Sequence, residues 1–244
     1  MDKRALLSIV VSMMLIPAFC LTQEAPVATI INHVPDGSVD VQITNRHQGS
    51  LTAYLLEVER TPSTANGRRI QTTIYFDSLL NPWQNKTFAP GETRSVRVAG
   101  PSRGSTRWQI DPQLKAAVFD DGVTFGDNDS VARVMAARKM FFEELGKAIS
   151  LIQSARASGM SRDEVIREAN QEEQVDLAGA QEPEMKRAIA NPWGTLQMNL
   201  QRNSAQPPGI VEETVLRMFL RLRQNLILAK PTVTPPGAAV NPAN

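Results

Sequence analysis

Apolar and polar residues alternate along the first half of the chain and recur at helical spacing along the second. In residues 38–44, Val39, Val41 and Ile43 fall on one side while Ser38, Asp40, Gln42 and Thr44 fall on the other. That period of two predicts a half-buried strand. Residues 27–32, 51–59, 70–77 and 93–98 are further β-rich runs. Pro35-Asp36-Gly37 and Asn66-Gly67 punctuate them, and both are turn chemistry that tolerates positive φ. Residues 114–125 predict a tight hairpin turning on Asp121-Gly122. About seven short strands at this spacing imply a sandwich of two antiparallel sheets.

Near Asp127 the period changes. Val131, Val134, Met135, Phe142, Leu145, Ile149 and Ile152 share one face of a helix that Asp127 or Asp129 can cap and Gly159 can end. Ser161 and Glu164 form a capping box for a second, more acidic helix. A third helical stretch covers residues 184–190, and Asn191-Pro192 breaks it or restarts it with Pro192 in the first turn, running on to Asn203. The last helix, residues 210–229, has Val211, Val215, Met218, Phe219, Leu222 and Leu226 on one side, widened by Leu216, Leu220 and Ile227. A face this wide calls for more than one neighbour. The expected fold class is therefore α+β, an N-terminal antiparallel β-sandwich followed by a C-terminal bundle of about four helices.

The run Val39-Asp40-Val41-Gln42-Ile43-Thr44-Asn45, the turn Phe88-Ala89-Pro90-Gly91-Glu92-Thr93 and the strand Lys115-Ala116-Ala117-Val118-Phe119 carry a resemblance. Residues 27–127 resemble bacterial immunoglobulin-like modules of the adhesion-related CARDB type. The segment around Asn81-Pro82-Trp83 departs from that pattern. The resemblance implies a spacer or binding unit and no catalysis.

The start of the chain adds a compartment. Lys3 and Arg4 precede an apolar run over residues 5–16, and Pro17 stands before Ala18-Phe19-Cys20. This is the make-up of a signal peptide cleaved between Cys20 and Leu21. The apolar run is short against the ~20 residues a membrane span needs. Lipidation at Cys20 is the alternative, but Phe19 stands where that chemistry prefers a small residue. The expected organisation is a signal peptide over 1–20, a linker over 21–26, the sandwich over 27–127, helices over 128–230 and a Pro- and Ala-rich disordered tail over 231–244. Export would place the protein in the periplasm, at the cell surface or outside the cell.

Cys20 is the single cysteine, so the cleaved chain has no thiol chemistry and no disulfide framework. Cleavage also removes Asp2, Lys3 and Arg4, which takes the formal charge from +1 to neutrality. No basic footprint points to nucleic acid.

Candidate chemistry is sparse. Asp120, Asp121, Asp127 and Asp129 with Gly122 and Gly126 are oxygen ligands suited to calcium, but turn and cap roles explain the same residues. His33 and His47 are the two histidines, and neither sits in a catalytic motif. Arg217, Arg221 and Arg223 form a basic stripe that fits an anionic lipid, an anionic partner or plain solvent. Trp83, Trp108 and Trp193 are possible binding anchors. The sequence thus assigns no catalytic residue, cofactor or metal site. It favours an exported, non-catalytic binding or structural module, with an unknown protein or envelope component as partner. The alternatives are an exported glycan hydrolase with paired carboxylates, and a periplasmic assembly or chaperone factor with an exposed groove or edge strand.

Overall fold

The computed structural model describes residues 25–63, 68–80, 86–100, 107–207 and 209–228. The expected signal peptide with its Cys20–Leu21 cut, most of the linker, Trp83 and the tail lie outside the described residues. Seven strands come first: β1 (Val27–His33), β2 (Val39–Asn45), β3 (Leu51–Pro62), β4 (Ile70–Asp77), β5 (Thr93–Val98), β6 (Trp108–Phe119) and β7 (Thr124–Gly126). They form two antiparallel sheets, ordered β1-β2-β5 and β4-β3-β6-β7. Four helices follow: α1 (Asn128–Ser158), α2 (Arg162–Gly179), α3 (Pro183–Arg202) and α4 (Ile210–Leu228). The protein is an α+β chain, a sandwich carrying a helical layer.

The two sheets enclose Val39, Val41, Ile43, Tyr54, Leu56, Val58, Ile110 and Phe119. Tyr54, Phe76 and Phe88 cluster at one side with ring centroids 5.0 to 5.9 Å apart. Asn45 is fully buried and closes one end. Its Nδ2 donates to the carbonyls of Gly49 and Phe88, and its Oδ1 accepts from the His47 N–H. A buried amide held on three sides fixes the β2–β3 connection.

The first half of β3 is apolar on both faces because each face has a neighbour. Ala53 and Leu55, with Ala116 and Val118 of β6, pack against Val131 and Val134 of α1. The helix leaves the sheet directly. The Asp127 N–H donates to the Lys115 carbonyl, and the Asp127 carboxylate caps the helix by accepting from the Ser130 N–H at 2.8 Å. At the far end Gly159 takes φ 71°, the left-handed conformation that closes helices. The Ser161–Glu164 capping box forms in full at the start of α2.

Three expectations need correction. Asn191-Pro192 does not break α3, which runs continuously with Pro192 inside it. An interior proline costs about 3 kcal/mol, but Ile189, Trp193, Leu196 and Leu200 are all buried on the same face. Each such side chain contributes roughly 1.5–3 kcal/mol of burial, so packing wins. On α1, the buried phenylalanine is Phe141, while Phe142 is half-exposed beneath Arg223 of α4. β6 also begins at Trp108, earlier than the hairpin pattern predicts.

Candidate functional site: the open side of the sandwich

The two sheets do not match at their edges. β6 has twelve residues, whereas β7 has three and pairs only with residues 116–118. Gly126 ends β7 at φ 117°, where a Cβ would fall 2.0 Å from the Lys115 carbonyl oxygen. The cap at Asp127 then turns the chain into α1. From Trp108 to Leu114, β6 has no described strand on that side.

β1 lies over the same side, as the edge of the other sheet. Its register sets Ile31 opposite Val41 and Thr29 opposite Ile43, and directly opposed residues share a face. Val41 and Ile43 are 1% and 0% exposed, yet Ile31 is 40% exposed. Ile31 thus faces inward over a place where no described strand stands beneath it. Ile30, on the outer face, is 54% exposed.

The remaining edges are blunted in ways that soluble sheets commonly use. β5 carries Arg94 and Arg97. The free stretch of β6 contains Pro112, which lacks an N–H to offer. At β4 the Tyr75 carbonyl accepts from Arg187 of α3. β1, reading Val-Ala-Thr-Ile-Ile-Asn-His, carries neither proline nor a permanent charge. It is a seven-residue edge with no described strand beside it.

The residues singled out from sequence are placed as follows. His33 is exposed at the end of β1. His47 Nε2 lies 2.6 Å from Asp121 Oδ2, with its ring tilted onto Phe119. Burial would raise the Asp121 carboxyl, but hydrogen bonds from His47 and the Val123 N–H outweigh it and hold it below the usual aspartate value. Asp120 accepts from the Ser50 N–H, and Gly122 makes the hairpin turn at φ 89°. With Asp127 capping α1 and Asp129 in its first turn, the four aspartates have structural roles. Among the described residues no cluster of three or more acidic, histidine or cysteine side chains could hold a metal ion. Trp108 is half-buried in β6, with its indole N–H buried and without an acceptor. Trp193 is fully buried and donates to Glu144 Oε2 at 2.8 Å. Arg217 pairs with Glu213, Arg221 is exposed, and Arg223 lies over Phe142.

Carboxylates also gather on the outer face of β3 and β6, where Glu57, Glu59 and Asp111 stand together. Glu57 pairs with Lys115 and Glu59 with Arg69. They lie side by side on one sheet face rather than across a cleft. No described helix is long and apolar enough to cross a membrane.

Fold and site together define an α+β protein with a one-sided open sandwich. Comparison with protein-family models, curated proteins and solved structures finds no match.

Proposed function

We propose that this chain is an exported, non-catalytic binding module whose β1 edge accepts one extended segment of a protein or envelope partner. The observation that carries the reading is Ile31, turned inward by its register yet uncovered, on an edge without charge or proline. A segment added alongside β1 would take its backbone hydrogen bonds from that edge. Its alternate side chains would fill the uncovered space between β1 and β6. The export half of the proposal rests on the charged, apolar and small-residue zones of residues 1–20. The resemblance to adhesion-related immunoglobulin-like modules supports the same reading. An assembly factor holding a client strand would use the same edge.

The test is a display library of extended heptapeptides with apolar residues at alternate positions, followed by hydrogen exchange on the complex. Binding should slow exchange of alternate amides within Val27–His33. Ile30→Lys with Ile31→Lys should abolish binding without lowering the melting temperature. Protection confined to the helices, or binding indifferent to the two lysines, overturns the proposal.

A further inference from the structure

The helical layer leaves a second surface unused. α1 is flanked by α2 and α4, and between them runs a groove of about 740 Å³. Its floor on α1 includes Gly146, Ser150 and Ser154, one helical turn apart, beside Lys147, Leu151 and Gln153. The line of small residues leaves a trough along α1 between the two walls.

The two walls carry opposite charge. On α2, Glu168 and Glu172 line the groove, both exposed and neither in an ion pair among the described residues. Val175, 64% exposed, continues the same helical face. On α4, Leu220 and Arg223 line the groove, and Ile227 follows at the same spacing. Leu220 and Ile227 are 44% and 42% exposed. These are the residues that widen the apolar face of α4 beyond what one neighbour covers. Arg223 keeps its Nε–H buried and without an acceptor, its only described partner being the Phe142 ring.

We infer that the groove is filled by α4 of a second copy of this chain, in a two-fold dimer. A two-fold axis beside α4 sets α4 of each protomer between α2 and α4 of the other. Each acidic α2 wall then meets the basic, apolar ridge of the partner's α4, twice over, because the contact is self-complementary. Leu220 and Ile227 become covered. Glu168 and Glu172 gain a cation, and the half-exposed Arg223 guanidinium gains a carboxylate. Among the described residues no ion pair joins the two walls across the groove. This inference is independent of the β1 edge.

Sedimentation velocity of the full chain tests it. The wild type should sediment as a dimer in the micromolar range. Glu168→Arg with Glu172→Arg should sediment as a monomer, and so should Arg223→Glu. Mixed in equal amounts, the two variants should dimerise again, because both charge contacts are attractive in the mixed pair alone. Should Arg223→Glu lower the melting temperature, Leu220→Glu replaces it and should likewise be monomeric by itself. A monomeric wild type, variants that remain dimeric, or a mixture of folded variants that stays monomeric overturns the inference. A monomeric wild type that binds a basic amphipathic peptide in the groove also overturns it, assigning the surface to another partner.

Discussion

Arg138 of α1 holds Asp77 at the end of β4, with Nε 2.7 Å from Oδ2. The pair is buried at both ends and stands sixty-one residues apart in sequence. Around it, Arg138 Nη2 donates to Thr52 Oγ1, the Tyr75 hydroxyl donates to Asp77 Oδ2, and the Leu79 N–H donates to Asp77 Oδ1. Burial, reinforced by the Asp77 charge, pushes the Tyr75 hydroxyl well above its ordinary pKa, so it remains a donor. The network fastens the helical layer to the sandwich.

Removing one partner of a buried ion pair costs more than removing both. Arg138→Met should therefore destabilise the chain by about 3–5 kcal/mol, since it takes the Arg138 cation from the buried Asp77. Combining it with Asp77→Leu should recover part of that loss. Urea unfolding of the single and double variants reads the difference.

Gly126 permits the turn from sheet to helix. Gly126→Ala places a methyl against the Lys115 carbonyl at a φ disfavoured by about 1–2 kcal/mol before any clash is counted. The melting temperature should fall by several degrees, whereas Gly146→Ala, where a Cβ has open space, should not lower it.

Trp193 and Glu144 form the polar centre of the helical layer. Burial raises the Glu144 carboxyl, against the hydrogen bonds from Lys147 and Trp193 that favour its charged form. Trp193→Phe leaves the buried Glu144 with one donor fewer and a smaller ring in its place. A loss of about 1–3 kcal/mol is expected for the unmet polar group alone, measured by chemical denaturation.

Asp36 governs part of the acid limb. Hydrogen bonds from the Ser38 side chain and backbone, with Arg97 beyond, lower it from 3.8 to about 2. A carboxyl depressed in the folded state stabilises above its unfolded pKa, and that contribution is lost as pH falls through the folded value. Asp36→Asn should therefore be less stable than wild type above pH 3.8, with the gap narrowing towards pH 2. Urea midpoints across that range test it.

What the sequence revealed was local. The alternation of β2 is legible because one sheet face is buried and the other wet. Asp127, Gly159 and the Ser161–Glu164 box are legible because caps act within one turn. The path through Pro192 is not, since the packing that overrides the proline comes from other helices. Phe141 and Phe142 are neighbours of equal hydropathy, and α3, α4 and the sheet decide between them. Nothing in the sequence singles out Arg138 and Asp77, which only the fold joins across sixty-one residues. The exposed Ile31 is hidden in the same way, because only register and the shortness of β7 show that no described strand covers it.

The junction at Gly126 and Asp127 contains no linker, and the Arg138–Asp77 pair fastens it from the side. The sandwich that bears the β1 edge is therefore fastened to the helices that form the α2–α4 groove. In a two-fold pair, two such edges would be held a constant distance apart. A partner presenting its extended segment in repeats of matching spacing would then be held by avidity, with each contact raising the effective concentration of the next.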